Sequence, residues 1–474
     1  MTEHALKIDQ SLGRTIKTEY GENVFACYQC KKCTNGCPVS EEMDLSPNQI
    51  IRSLQFGLKD QVLASKTIWL CASCETCTTR CPQGIDIARL MDVLREMSLK
   101  EGAKAAISEV VLFDELTAKS IQKHGRIYEL GTMMSYNLRS GKPFKDTGMG
   151  TKMFLKGKFK VLPENIKYPK NLEKIAAEQQ IEGKKQVAYY SGCSLHSVGR
   201  EFEISTQAVC KQLGIELVEP KNWICCGASS IHRRSHLEAT LLPMKNLALV
   251  EKSGLNHLSL PCAACFAMFK RAAYDVEQSL QLRERIEKET GYSHSGGIEI
   301  THLLDTFLAQ TGLEEISNQV KRPLEGLKVV CYYGCLLTRP SQVTSAKHPE
   351  YPVGMDNLMR ALGAESLDWS YKTECCGASL VVTQTTVALR LIENILKNAK
   401  EAGAEAIVVA CPMCHGNLDT RQAEISAKGK RYALPILYFT QLMGLAMGID
   451  SNKLSLKTHL VTPLPLLKRK KVLE

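Results

Sequence analysis

Eighteen of the twenty cysteines in this chain fall into two spacing patterns, each present twice. Cys27, Cys30, Cys33 and Cys37 precede Pro38, and Cys71, Cys74, Cys77 and Cys81 repeat the spacing before Pro82. The second pattern is Cys193, then Cys225-Cys226 before Gly227, then Cys262-x-x-Cys265. It recurs as Cys335, Cys375-Cys376 before Gly377, and Cys411-x-x-Cys414. A fold that carries these sets must converge distant loops on shared points. Disulfides are a poor reading for a 474-residue chain whose first residues carry mixed charge and no apolar export segment. Close-spaced Cys-x-x-Cys sets in such a chain point to metal.

The spacing C-x₂-C-x₂-C-x₃-C-P is specific for two cubane [4Fe–4S] clusters. Three close cysteines wrap one cluster, and the fourth, turned away before proline, ligates the other. The expected sets are Cys27, Cys30, Cys33 and Cys81 for one cubane, and Cys71, Cys74, Cys77 and Cys37 for the other. Pro38 and Pro82 interrupt local helix and aim the fourth thiolates across. Zinc needs four ligands and has no use for eight in this arrangement. With every iron capped by cysteine, such a pair conducts electrons and breaks no bonds.

The second pattern demands different geometry. Neighbouring residues on an extended backbone point to opposite sides, so a Cys-Cys pair serving one centre needs a sharp bend. Gly227 and Gly377 permit it. Each Cys-x-x-Cys follows an apolar strand and opens a helix, whose N-terminal N–H groups favour thiolate. Five cysteines exceed what a simple cubane or zinc site uses. The surplus suggests bridging thiolates or an iron left open.

The rest of the chain follows from periodicity. Ser46 and Pro47 open a helix with Ile50, Ile51, Leu54 and Leu58 on its apolar face, and Gly57 interrupts it near its end. A second helix is expected over 85–99. These place residues 1–102 in a helical ferredoxin-like domain. Residues 103–185 hold no cysteine and read as helical to Leu138, then as an extended, basic connector draped over a neighbouring surface. From 186 onward the chain is duplicated. QVAYYSGC (186–193) matches KVVCYYGC (328–335), ICCGAS (224–229) matches ECCGAS (374–379), and 300–313 resembles 436–449. Short apolar strands at 187–190, 328–332 and 406–409 alternate with helices in two α/β units, 186–326 and 327–474. The predicted class is α+β multidomain, with the two units related by a pseudo-two-fold.

These residues resemble the heterodisulfide reductase family. The stretches WLCASCETCTTRCP (69–82) and HGRIYELG (124–131) are similar to its ferredoxin-bearing C subunit. Residues 186–474 resemble the tandem CCG domains of its B subunit. The resemblance implies two non-cubane [4Fe–4S] clusters as further cofactors. One would be held by Cys193, Cys225, Cys226, Cys262 and Cys265, and the other by Cys335, Cys375, Cys376, Cys411 and Cys414. These ten are the catalytic residues it implies. The implied reaction is reduction of a small disulfide, such as that of coenzymes M and B, at the face between the two clusters. Electrons would come from a flavin-containing donor of the family's A-subunit type, in some relatives with hydrogenase or formate dehydrogenase. The alternative is an electron-transfer subunit of the glycolate, lactate or glycerol-3-phosphate dehydrogenase type, passing electrons toward quinone.

Composition excludes little else. No run of uncharged apolar residues is long enough to span a bilayer, and cytoplasmic placement is expected. The net charge of +10 comes without a nucleic-acid-binding motif. The basic stretch 142–185 and Lys468 to Lys471 are solvated surface or a docking face for an acidic partner. No glycine-rich nucleotide fingerprint or P-loop is present. Cys210 and Cys331 lack counterparts in the other repeat and read as packing thiols. Trp69 and Trp223 read as cluster shields. Lys31 and Lys32 read either as charges that raise the first cluster's potential or as solvated lysines, and His196, His232 and His415 either as ordinary surface or neighbouring histidines or as proton donors.

Overall fold

The computed structural model describes residues 8–169, 172, 185–427, 429 and 431–473. The N-terminal unit is helical. Ser46 opens the helix Pro47–Gln55, its N–H donating to Gln49 Oε1 at 2.8 Å, and Ile50, Ile51 and Leu54 are buried. Gly57 ends this run at φ +74°, where a side chain would strike the backbone of Asp9. Leu58 leaves the face and opens a new helix, Lys59–Ala64. After the second cysteine loop, Asp86 caps Ile87–Lys100 by accepting the Arg89 N–H at 3.0 Å. Ile87, Leu90, Met91 and Leu94 line its buried side.

The C-terminal half holds two four-stranded, wholly parallel sheets. The first comprises β1 (Lys185–Tyr189), β2 (Ile215–Val218), β3 (His257–Leu260) and β4 (Glu299–His302), in the order β2-β1-β3-β4. The second comprises β5 (Lys328–Tyr332), β6 (Glu365–Leu367), β7 (Ala406–Val409) and β8 (Ile436–Tyr438), in the order β6-β5-β7-β8. Central β3 and β7 are buried at every position, as expected for strands covered on both faces.

The two sheets share one continuous core, and the helices between them exchange reciprocally. Helix Arg200–Gln212 of the first unit packs on Phe439–Ala446 of the second. Its counterpart in the second unit, Gly354–Ala361, packs on Leu303–Gln310 of the first. Such an exchange is what a pseudo-two-fold requires.

The connector departs from the extended course expected for its later part. Helices Ser108–His124 and Glu129–Arg139 are followed by a third, Thr147–Leu155. Gly148 and Gly150 weaken helix in isolation. Here Met149 and Met153, one turn apart, line an internal cavity and hold the segment in place. The remainder of the basic stretch, from 173 to 184, lies outside the described residues.

Candidate metal centres

In the N-terminal unit the two cysteine loops share a backbone device. Gln29 and Lys31 flank Cys30 at φ +64° and +63°, and Ser73 and Glu75 flank Cys74 at +49° and +59°. Left-handed non-glycine residues cost roughly 1–2 kcal/mol each, and four at matched positions mark loops shaped around something. Cys37, Cys71, Cys74 and Cys77 line one small cavity of about 20 Å³. Cys27, Cys30 and Cys81 surround Tyr28 together. Lys31 and Lys32 are exposed. Trp69 is 1% exposed and packs in the unit's core beside the second loop.

In each α/β unit, a tyrosine at the end of the first strand anchors the carbonyl just before the cysteine pair. Tyr190 donates to Ile224 O at 2.9 Å, and Tyr332 donates to Glu374 O at 2.6 Å. Gly227 (φ +82°) and Gly377 (φ +71°) make the expected bend, and their N–H groups point back to Cys225 Sγ and Cys375 Sγ at 3.4 and 3.3 Å. Cys262 and Cys411 open the helices Ala263–Gln278 and Pro412–Thr420. The pairs then meet the Cys-x-x-Cys loops: Cys226 Sγ lies 3.2 Å from Cys265 Sγ, and Cys376 Sγ lies 3.8 Å from Cys414 Sγ. Cys193 contacts Cys225, and Cys335 contacts Cys375, so all five thiols of each set converge.

Gly192 and Gly334, each just before the first cysteine of its set, leave room for sulfur. A Cβ there would stand 3.2 Å from Cys265 Sγ and 2.9 Å from Cys414 Sγ. Both glycines stand in the repeated octapeptides, so the repeat carried this signal.

The electrostatics suit a cationic group. Hydrogen bonding to a neighbouring thiol, then burial, holds Cys225, Cys265, Cys375 and Cys414 well above the usual thiol range, while hydrogen bonds from neighbouring thiols hold Cys226 and Cys411 well below it. Burial alone leads for Cys77, and it pushes Cys71 up to about 11. So many buried thiols become thiolates together only beside strong positive charge. Iron supplies it, and the cysteine sets fit iron–sulfur groups.

The sets form a chain through the molecule. Cys74 of the N-terminal unit touches Cys375 of the second set, amid Val39, Ala72, Leu380 and Leu391. Cys411 of the second set touches Cys262 of the first. The first set then borders a cavity of about 270 Å³, lined by all five of its cysteines. The expected location was the face between two equivalent centres, and this cavity is lined by residues of both α/β units. The second unit contributes neighbours of its cysteines to this cavity, namely Ala378, Pro412 and Met413, and none of its five thiols. Its Cys335 and Cys375 pack against the N-terminal unit, while its Cys411 meets Cys262 of the first set.

The connector closes the cavity. Gly125 O accepts the Cys225 N–H at 2.9 Å, Arg126 stacks over Trp223 at 3.3 Å, and Glu129 and Met133 line the wall with Met149 and Met153. Arg421 also lines it, and Asp146 accepts from both its terminal nitrogens at 2.7 and 3.0 Å. Glu129 Oε2 accepts from Ser197 Oγ at 2.7 Å, and burial raises its carboxyl to about 7.

None of the three candidate histidines lines this cavity. His196 bonds Ser191 at 2.9 Å and lies against Trp223, while His232 pairs with Asp92 of the N-terminal unit at 2.9 Å. His415 stacks on Tyr438, and burial pushes it well below the usual imidazole range. Residue type and nearness in sequence to the cysteines singled out the histidines. Glu129 was missed because only the tertiary fold brings the connector to the first set. Cys210 and Cys331 are buried, 2% and 0% exposed, and pack as expected.

The cysteine-rich domain profile matches residues 187–270 and 329–419, and the 4Fe-4S dicluster domain profile matches 23–85. The chain is 33% identical over 281 residues to the 8-methylmenaquinol:fumarate reductase membrane anchor subunit of Wolinella succinogenes, covering 58% of this chain and 97% of that one. It is 29% identical over 284 residues to the B subunit of the ferredoxin/F(420)H(2)-dependent CoB-CoM heterodisulfide reductase of Methanosarcina acetivorans, covering 58% and 94%. It is 33% identical over 104 residues to the C subunit of the H(2):CoB-CoM heterodisulfide,ferredoxin reductase of Methanothermobacter marburgensis, covering 22% of this chain and 56% of that one.

Proposed function

The chain belongs to the heterodisulfide reductase family, joining a C-subunit-like ferredoxin part to a B-subunit-like pair of cysteine-rich domains, and from that premise we propose that it is the iron–sulfur catalytic subunit of a disulfide-reducing complex. Cys27, Cys30, Cys33 and Cys81 would hold one cubane, and Cys71, Cys74, Cys77 and Cys37 the other. Cys193, Cys225, Cys226, Cys262 and Cys265 would hold one non-cubane cluster, and Cys335, Cys375, Cys376, Cys411 and Cys414 its counterpart. When bound, these groups would deliver single electrons to the cavity wall and offer iron to sulfur. The observation that carries the reading is the cavity, which is bordered by a full five-thiol set and reached by a chain of contacts from the N-terminal unit.

The chain's own residues set the rest. Met133, Met149 and Met153 exclude water from the wall beside the first set. Glu129 holds a proton at Oε1 or Oε2 near neutral pH and can give it to a departing thiolate. Arg421 is already neutralised by Asp146 and Glu424. The cavity therefore suits a disulfide without multiple anionic groups.

That apolar lining favours one second reading, a quinone-type acceptor in the same cavity. Anaerobic assay of the purified chain with reduced viologen separates the two. Thiol release from a small neutral disulfide, with a thiol-dependent paramagnetic signal, supports the first. Quinone reduction with every disulfide inert replaces it. Donor and partner subunits, including a flavin-bearing one, belong to the same proposal. The named relatives are themselves subunits of larger assemblies.

A further inference from the structure

Seven of the fifteen large hydrophobic side chains exposed among the described residues lie between residues 134 and 162 of the connector. Phe144 is 82% exposed, Leu155 79%, Leu162 77% and Leu138 67%. Elsewhere such residues occur singly or as the close pairs Phe25 with Tyr28 and Tyr351 with Val353. Here they share a short segment with Arg139 and six lysines (142, 145, 152, 156, 158 and 160) against one acid, Asp146. Asp146 is turned to Arg421, and Lys158 is buried against Glu201. Lys142 and Lys160 pair with Glu109 and Glu164, so the outward charge stays net positive through Arg139, Lys152 and Lys156.

The helices Glu129–Arg139 and Thr147–Leu155 both wall the cavity. Thr132 and Met133 of the first face it, as do Met149 and Met153 of the second. Their other faces, with Leu138, Phe154 and Leu155, point outward from the same roof.

We propose that this roof docks the protein on an anionic phospholipid surface. Phe144, Leu155 and Leu162 would enter the headgroup–acyl boundary, while Arg139, Lys152 and Lys156 would pair with lipid phosphates. The composition separates this from a protein interface. Protein interfaces are depleted in lysine, whereas interfacial membrane segments combine Phe and Leu with a lysine-rich polar side. No helix among the described residues is long and apolar enough to cross a bilayer, so the contact is a surface one. It stands whichever substrate the cavity takes.

Flotation of the full-length, cluster-loaded chain with vesicles tests the proposal. Binding is expected to vesicles of phosphatidylcholine mixed with phosphatidylglycerol, and to fall at least about tenfold on pure phosphatidylcholine. The Phe144→Asp/Leu155→Asp double variant, changed only at exposed positions, should lose about tenfold or more on the mixed vesicles with unchanged iron content. Failure to float with either vesicle overturns the proposal. So does flotation that the double variant retains in full. Salt-sensitive capture of an acidic protein by a chain that ignores both vesicles replaces the bilayer with that partner.

Discussion

Glu129 has its carboxyl raised to about 7 by burial, against a hydrogen bond from Ser197 that opposes the shift. It carries a proton below that value and loses it above. A proton-consuming reaction in the cavity should therefore fall as pH rises through about 7, and Glu129→Gln should remove that limb of the pH–rate profile. The same shift favours the folded state at low pH, an advantage fully present below the ordinary glutamate range and lost as pH rises through about 7. At Gly334 the constraint is space. A methyl group there would stand 2.9 Å from Cys414 Sγ, on a residue at φ +72°. On the proposed four-cluster content, Gly334→Ala should lower iron from about 16 atoms per chain toward about 12, as read by metal analysis, with the N-terminal optical and paramagnetic signatures kept.

At the scale of elements, the connector's HGRIYELG stretch is the informative one. It lies at the first five-thiol set, with Gly125 O on the Cys225 N–H and Arg126 over Trp223. Arg126→Ala should cost about 0.5–2 kcal/mol, from loss of the cation–π contact, and should shift the thermal melting point without removing iron. The helices around the cysteine loops were legible because each satisfies a local rule. Ser46-Pro47 opens one helix, Gly57 closes it, and apolar residues recur at helical spacing. Thr147–Leu155 was not legible. Its glycines and lysines argue locally for an extended chain, and what overrides them is the packing of Met149 and buried Met153 along the cavity wall.

On the scale of the whole molecule, charged side chains hold the N-terminal unit on both α/β units. Arg271 pairs with Asp86 at 2.6 Å and Arg89 with Asp275 at 3.1 Å on the first unit, and Arg390 pairs with Glu42 at 2.9 Å on the second. Arg339, fully buried, donates to Thr76 Oγ1 at 2.7 Å and Thr373 O at 2.9 Å beside the Cys74–Cys375 contact. Arg339→Ala should destabilise this junction by about 1.5–3 kcal/mol, from the hydrogen bonds its charged donor loses. Limited proteolysis would read it as early release of an intact N-terminal fragment.

The cysteine spacing, the repeated octapeptides and the apolar periodicity by themselves determined the helical N-terminal unit, the duplicated parallel units and which residues gather in each unit. All of these depend on neighbours close in sequence or on a repeat that can be read twice. Tertiary structure alone decided that Cys375 of the second set meets the N-terminal unit while all five cysteines of the first border a cavity, and that the connector roofs it. The repeats are near-equivalent in sequence, so nothing local could tell them apart. Only packing the rest of the chain against one side of a two-fold makes the sides different.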